Sequence, residues 1–519
     1  MRLPMRRPRS GRRVVVIGAG PGGLASAMLA RAAGADVTVI ERAPRVGGRT
    51  AAIEQDGFVF DTGPTFFLYP QIPREIFAAC GFDFDAMVPM KRLEPMYRLR
   101  FADGRTFDAT PDLERLKAEV ARIDPRDVAG VERYLAANHA KFEAFRPVLQ
   151  KPFLHLGAFI DINMVRALPH LRPWATVDAD LRRWFHHPDT RLAFSFQSKY
   201  LGMSPFKCPS LFTILAHIEY GHGVYHPMGG CNAIPRAMAQ ALEQMGVDVR
   251  LGEPVEEMLF EGRRATGVRT DKRTYAADAV VVNADFAHAM KSLVPDRLRR
   301  RWTDARIDGK SYSCSTFMLY LGVEGSFPDL AHHTIFLSRD YERNIREIEE
   351  GLAPAEPSIY IQNASVTDPS LAPPGHSALY VLVPVGNLAS GTDWQAIVAP
   401  YREAVLDRLK VLTGHDLRPL IRTERMVAPP DWRDMGIHQG ATFNLAHNLG
   451  QMLHLRPRNR FEDLDGVYLT GGGTHPGSGL PTIFESARIA TKLLARDLGL
   501  NADRVPESVL GKAMTEAAE

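Results

Sequence analysis

Gly18-Ala19-Gly20-Pro21-Gly22-Gly23 follows the apolar run Val14 to Ile17 directly, and a second apolar run, Val37 to Ile40, ends in Glu41, eighteen positions beyond Gly23. Few folds accommodate such an opening. The two runs read as neighbouring parallel strands joined by a helix. The glycines fall where the backbone turns tightly (Gly18), lies against a pyrophosphate (Gly20) and admits the helix close to the sheet (Gly23). The helix start then offers free N–H groups and the positive end of its dipole to an anion. Glu41 is placed to accept hydrogen bonds from an adenosine ribose and would repel a 2′-phosphate, so the cradle suits FAD or NAD better than NADP.

A chain of 519 residues has room for two large domains or three smaller ones. The formal net charge of +3 gives bulk charge no role in binding nucleic acid. Arg2, Arg6, Arg7, Arg9, Arg12 and Arg13 form a basic arm that could meet anionic headgroups, although a solvated tail is the simpler reading. Arm and apolar run together mimic a secretory signal. Cleavage there would destroy the glycine cradle, so export is set aside. Cys80, Cys208, Cys231 and Cys314 are scattered and show no CxxC spacing, which points to a reducing compartment and away from a cysteine zinc site; no metal is expected. No apolar run approaches the length of a transmembrane helix.

Beyond Glu41 and Arg42, the glycine pair Gly47-Gly48 precedes Arg49, where backbone can approach a ligand and a guanidinium can meet phosphate or carbonyl oxygen. Phe58-Val59-Phe60 reads as a short strand. Residues 71 to 220 change character. Helical segments at Leu113 to Ile123 and Val131 to Phe145 lead into a stretch rich in Phe, Leu, Trp and His, including Phe153-Leu154-His155-Leu156 and Leu171-Arg172-Pro173-Trp174. This reads as an inserted substrate or lid domain with an amphipathic surface. Alternating strands and helices resume near Tyr225, with a helix to about Met245, strands at Val247 to Leu251 and Ala279 to Val282, and a hairpin about Glu261-Gly262. Phe317 to Leu321, Ile359 to Gln362 and Leu379 to Val383 are candidate strands of a second sheet. Finally the strand Val467 to Thr470 feeds a glycine-rich loop, Gly471 to Pro481, that opens the helix Thr482 to Asp497.

The opening fingerprint, Gly47-Gly48-Arg49, Asp61-Thr62-Gly63-Pro64-Thr65, Arg456-Pro457 and Gly473-Thr474-His475-Pro476-Gly477-Ser478-Gly479-Leu480-Pro481 together resemble the bacterial-type phytoene desaturases, within the flavin amine oxidase superfamily. Gly440 to Leu449 with Gln451 also resembles the segment that family carries before its closing strand. The resemblance spans about residues 13 to 500. It implies an α/β fold: a Rossmann-type FAD-binding domain, glutathione-reductase-like, with an inserted α+β substrate domain and a helical membrane-facing lid. The FAD-binding domain would comprise 13–70, 225–290 and 455–500, the substrate domain 71–224 and 291–454, and 1–12 and 501–519 would be flexible tails.

By the same resemblance, Gly18, Gly20, Gly22 and Gly23 would cradle the FAD pyrophosphate and Glu41, with Arg42 beside it, the adenosine ribose. Gly47, Gly48 and Arg49 would lie against phosphates or flavin, and Val255 would meet the adenine. Gly472 and Gly473 would pass the ribityl chain, and Leu480, Pro481, Thr482 and Ile483 would face the isoalloxazine. The commonest family ending continues Gly-Val-Pro-Gly-Val; here the chain reads Gly479-Leu480-Pro481-Thr482-Ile483-Phe484-Glu485-Ser486, which leaves the substrate more open than the cofactor.

The implied activity is FAD-dependent desaturation of a long isoprenoid polyene such as phytoene or a C30 analogue, in carotenoid biosynthesis. It would proceed by hydride transfer to flavin N5 with proton loss from the adjoining carbon. No strong base is demanded, because the developing cation is allylic. His475 and Glu485 are the polar candidates near the ring. The implied partners are an apolar polyene, a membrane surface, and oxygen or a quinone as electron acceptor. The expected location is cytoplasmic, peripheral on the inner face of the cell membrane. Readings left open are a carotenoid oxidase or isomerase, an amine oxidase, and a non-enzymatic prenyl carrier.

Overall fold

Val14, Val15 and Val16 are buried on both faces of their strand, as a central parallel strand demands. In the computed structural model, which describes residues 11–155, 157 and 162–507, that strand, Arg13–Ile17, lies in a five-stranded parallel sheet. The sheet order is Asp248–Arg250, Asp36–Ile40, Arg13–Ile17, Ala279–Val282 and Val467–Leu469, so four distant parts of the chain meet in one layer. The helix Pro21–Ala32 is buried along its whole length, wedged between the sheet and the helices Ala233–Gln244 and Leu480–Asp497. Its glycines and alanines make that close packing possible: a Cβ at Gly23 would sit 2.1 Å from the Gly18 carbonyl oxygen.

The second layer is a seven-stranded sheet ordered Ile421–Val427, Ser315–Glu324, His376–Val385, Ile359–Asn363, His333–Phe336, Tyr97–Arg100, Thr106–Ala109. All its pairings are antiparallel except that between His333–Phe336 and Tyr97–Arg100. That parallel pair joins the two halves of the inserted region. The strands at 97–100, 333–336 and 421–427 carry Arg98, Arg100, His333, Arg422 and Arg425, which interrupt their apolar runs in the sequence. The helix Trp394–Thr413 packs on one face of this sheet, and Leu113–Ile123 packs on its edge strand Thr106–Ala109 and on the helix Val128–Leu149, which is longer at both ends than the pattern at Val131 to Phe145 suggests.

Two expected boundaries shift. Val224–Pro227 does not enter the nucleotide sheet; it pairs with Phe67–Leu68 and Met90–Arg92 and stitches the two units together. The hairpin Ala52–Gln55/Phe58–Asp61 turns its apolar side to the large sheet: Ile53, Phe58 and Phe60 share a core with Met318, Tyr320 and Tyr380. At the far end, residues 501–507 are no loose tail. Asn501 donates its N–H to the Ala33 carbonyl (3.2 Å), Val505 is buried, and Lys492 pairs with Glu507. Residues 508–519, and the arm residues Arg2, Arg6, Arg7 and Arg9, lie outside the described residues.

Gly322, in mid-strand, leaves the space that Phe58 fills; a Cβ there would lie 2.7 Å from the Phe58 ring. Phe58→Ala removes this plug between the units. Truncating a buried phenylalanine costs about 3–5 kcal/mol, so the midpoint of thermal unfolding, followed by circular dichroism, falls by several degrees, whereas Val411→Ala at an exposed position leaves it unchanged.

Candidate functional site

Both glycine-rich loops come from the carboxyl ends of parallel strands, where an open sheet leaves a crevice. Gly18 has φ of 95°, and a Cβ there would stand 2.3 Å from the Asn283 carbonyl oxygen. A Cβ at Gly20 would meet Asn283 Nδ2 at 2.8 Å; one at Gly22 would meet Asn283 Oδ1 at 2.7 Å and Ile483 Cγ2 at 3.0 Å. Opening turn, third strand end and closing helix therefore converge on one point. The N-cap of the first helix is Gly20, with no side chain hydrogen-bonded to the exposed N–H groups. The cradle is thus backbone throughout, with its donors free for an anionic group.

Glu41 sits beside it. Its carboxylate accepts from the Ala19 N–H (2.7 Å) and the Ala43 N–H (2.8 Å). The Glu41 carbonyl takes the Glu253 N–H (2.9 Å), which carries Val255 to the same edge. Gly47 donates to the Ala19 carbonyl (2.8 Å) and has φ of 114°, so the glycine pair folds back over the first turn; Gly48 lies exposed beside the Gly20 Cα. Arg42 departs from the expected arrangement. Its guanidinium donates to the Met435 carbonyl, which draws it towards the helix Pro429–Asp434.

Arg49 reaches forward instead. Its Nη1 donates to the Thr442 carbonyl (2.8 Å) and Nη2 to Asn444 Oδ1 (3.2 Å), and burial lowers its pKa. It stands on the wall of a cavity of about 930 Å³, together with Gly472 and Leu480 to Ile483. Further along, the wall is Phe66, Leu215, Ile218, Ile335, Leu337 and Ile345, and it reaches the surface beside Lys207, paired with Glu349 at 2.6 Å. One continuous, mainly apolar space thus leads from the cofactor crevice to solvent.

The Asp61 to Thr65 segment divides crevice from sheet and is held by three tyrosines of the large sheet. Tyr320 donates to the Thr62 carbonyl (2.6 Å), Tyr380 to the Gly63 carbonyl (2.8 Å), and the Tyr360 hydroxyl meets Thr65 Oγ1 (2.7 Å). Gly63 has no room for a side chain, since a Cβ would stand 2.6 Å from the Arg49 carbonyl oxygen.

Arg456 forms the floor. Fully buried, it donates to five backbone carbonyls: Nε to Thr474 (3.2 Å), Nη1 to Ala446 and Gln451 (3.3 Å each), Nη2 to Leu445 (3.0 Å) and Gly472 (2.8 Å). Burial pulls its pKa down to about 9. All five N–H groups have partners, which makes so deep a guanidinium tolerable. Nearby, His447, kept neutral by burial, accepts the Ser478 N–H on Nε2 (3.0 Å), and the Ser478 hydroxyl donates to the Phe443 carbonyl (2.6 Å). Gly473 packs against Phe286 and not along the cavity; a Cβ would be 2.8 Å from the Phe286 Cβ.

Among the described residues, the cavity wall includes neither His475 nor Glu485. His475 points backwards: its Nε2–H donates to the Lys151 carbonyl (3.0 Å), its ring packs edge-on to Phe153, and burial pulls its pKa to about 4, which leaves it neutral. Glu485 faces the opposite side of the closing helix, where Arg488 pairs with it and with Glu75. Neither is placed for catalysis. Helical periodicity explains Glu485, which lies on the face of the closing helix turned from the loop. Asn283, Asn444 and Arg456 are the site residues whose roles the sequence did not disclose. Arg456 stood in the family-like pattern, but only the fold shows which carbonyls it gathers.

The family model of the flavin-containing amine oxidoreductases matches residues 21–495. This chain belongs to that family. It is 43% identical to a 4,4′-diapophytoene desaturase (4,4′-diapolycopene-forming) of Methylomonas sp, over 93% of this chain and 95% of that one. It is 37% identical to an all-trans-zeta-carotene desaturase of Myxococcus xanthus, over 94% of each. An oxidoreductase structure from Methanosarcina mazei shares the fold at 19% identity, with a TM-score of 0.62 over 92% of this chain and 98% of that one. FAD is accordingly the cofactor, and the backbone cradle fits it: three glycines abut neighbouring atoms where any side chain would intrude, and uncapped helix N–H groups face the crevice.

Arg456→Lys keeps the charge but offers three donors to five carbonyls. Each carbonyl left unpaired costs about 1–3 kcal/mol. The variant purifies with less bound FAD, read as flavin absorbance per protein, and melts at lower temperature than the parent.

Proposed function

We propose that the protein desaturates a long isoprenoid polyene, phytoene or its C30 counterpart, in the cavity beside FAD. One observation carries this reading: a single, largely hydrocarbon-lined cavity runs from Arg49, Gly472 and Leu480 to Ile483 out to the surface. A hydrocarbon has no groups to hydrogen-bond, so its binding rests on apolar burial at roughly 25 cal/mol per Å². The names of the carotenoid desaturases at 43% and 37% identity support the same substrate class. FAD supplies a hydride acceptor. The chain holds it through the backbone at Gly18, Gly20 and Gly48, through Glu41 at the ribose and through Arg49 at the phosphate or ring, while Leu480 to Ile483 orient the substrate against it and keep water out.

Such a substrate resides in a bilayer, and the surface beside the cavity mouth suits one. The helix Ile162–Leu171 buries Met164, Ala167 and Leu171, yet its other face presents Ile162, Val165 and Leu168 to solvent, next to exposed Arg166 and His170. Trp174 follows, 78% exposed. The segment Ser204 to Ser210 ties this patch to the mouth: Ser210 donates to the Arg172 carbonyl (2.9 Å), and Lys207 lines the opening. Apolar residues rimmed by cations are the signature of a helix lying in a lipid interface. No described helix is long and apolar enough to cross a membrane. The protein therefore docks peripherally, on the inner face of the cell membrane, where oxygen or a quinone takes the electrons.

Expressed in cells that make phytoene or its C30 counterpart, the protein yields a coloured polyene, identified by chromatography and absorption spectra. A colourless extract from both strains, with turnover of amines instead, overturns the reading. In flotation with anionic vesicles the protein rises with the lipid. The combined substitution Ile162→Ser, Val165→Ser, Leu168→Ser and Trp174→Ser leaves it at the bottom, because each buried side chain contributes about 1.5–3 kcal/mol.

A further inference from the structure

Making a carbon–carbon double bond from a saturated pair removes a hydride and a proton, and the proton needs a destination in a space lined mostly by hydrocarbon. Of the cavity-lining carboxylates, Glu350 lies exposed to solvent, and Asp308 and Glu349 are poor destinations. Each is neutralised by a lysine on the solvent side, Asp308 by Lys291 (2.6 Å) and Glu349 by Lys207 (2.6 Å). Behind the middle of the wall lies a different carboxyl group. Glu219, on the helix Ile214–His222, is fully buried. It accepts hydrogen bonds from the Tyr200 hydroxyl, Gln197 Nε2 (2.5 Å) and the Tyr97 hydroxyl (3.4 Å). The groups facing it from each packed element are neutral: Tyr97 from its strand, Gln197 and Tyr200 from the turn Phe196–Leu201, Tyr220 from its own helix and Tyr134 from the helix Val128–Leu149. Among the described residues no lysine, arginine or histidine is paired with it.

Tyr200 is the one phenol of this cluster on the cavity wall. Two contacts link it to the walls of the cofactor crevice. Its ring lies 5.3 Å from that of Phe66, three residues beyond Gly63, which presses on Arg49. Two residues past Tyr200, Gly202 abuts the Phe443 ring, and Phe443 holds Ser478 of the closing loop.

We propose that Tyr200 takes the proton released from the polyene carbon and hands its own phenolic proton to Glu219, so that the pair is the proton acceptor of the desaturation. The inference rests on the desaturase reading above. In the step, the substrate C–H bond breaks and its electron pair becomes the new π bond, with the hydride of the adjoining carbon gone to FAD. The proton bonds to Tyr200 Oη as the phenolic proton moves to a Glu219 carboxylate oxygen. The phenol is thereby regenerated, the carboxylate becomes a carboxylic acid, and it returns the proton through Tyr200 to water once the product has left.

Burial favours this direction, because protonation removes a charge from the interior. Burial raises the Glu219 pKa to about 7, so the carboxylate can both take and release a proton near neutrality. The other phenol with a titratable group behind it, Tyr360, leads to His333 (2.8 Å). Protonating that imidazole would create a charge in an apolar interior, and burial holds its pKa well below the usual value.

Tyr200→Phe and Glu219→Gln are near-isosteric and test the pair. Anaerobic mixing of the FAD-loaded protein with polyene in detergent follows the loss of flavin absorbance. The parental rate falls as pH drops below about 7, where Glu219 is protonated. Both variants slow it by roughly 10²- to 10⁴-fold, the usual worth of a positioned base, and flatten the pH profile, with FAD content unchanged. Infrared titration of the protein without substrate gives a second readout. A buried carboxyl band titrates near neutrality, vanishes in Glu219→Gln and moves in Tyr200→Phe. Parental rates and pH profile in both variants, or no such band, overturn the proposal. A parent that makes no pigment overturns the desaturase reading as well, whereas a pigment-making parent with unslowed variants overturns this one alone.

Discussion

A single guanidinium holds the working end of the molecule together. Arg456 joins the carbonyls of Leu445, Ala446 and Gln451 to those of Gly472 and Thr474, so two loops that would repel each other through their carbonyl dipoles become one floor. Only arginine provides five donors in a rigid fork. The loops so fixed place Asn444 against Arg49 and Gly472 at the cavity, and the closing helix starts from that platform. Cofactor crevice and apolar cavity thereby share a wall.

The same economy of polar contacts marks the seam between the two sheets. Three tyrosine hydroxyls reach from the large sheet to the Thr62 to Thr65 segment, each with an apolar ring in the core and its oxygen on a backbone or hydroxyl partner. Such residues satisfy the backbone of a buried segment without introducing charge. Two buried carboxylates with no paired cation, Asp61 and Glu219, have pKa values raised to about 7 by burial. Asp61 is tied to the backbone of the turn at Asn232 (3.3 Å), a structural position. Glu219 instead connects through a phenol to the cavity, and that difference in connection separates a structural carboxyl from one able to move a proton.

The cofactor cradle was legible because backbone geometry demanded particular residues in a fixed local order. Gly18, Gly20, Gly23 and Glu41 lie within one strand–helix–strand unit, where Gly23 abuts the Gly18 carbonyl and Glu41 accepts the Ala19 N–H, whereas the contacts of Gly18 and Gly20 with Asn283 come from a distant strand. His475 and Glu485 misled because adjacency along the chain is not adjacency in space. One turns to Lys151 and the other, half a helical turn from the loop, to Arg488. Tyr200 and Glu219 gave no local signal, for they are ordinary members of aromatic, half-helical segments until the strand bearing Tyr97 packs beside them.

By itself, the sequence determined the parallel nucleotide sheet, its glycine turn and the family of the chain, since period, steric room and motif order act over a few dozen residues. Only tertiary structure decided where Val224–Pro227 pairs, which carbonyls Arg456 gathers, which carboxyl stands behind the cavity wall and which apolar face stays uncovered on the helix Ile162–Leu171. These depend on contacts between segments hundreds of residues apart, whose partners no local pattern encodes.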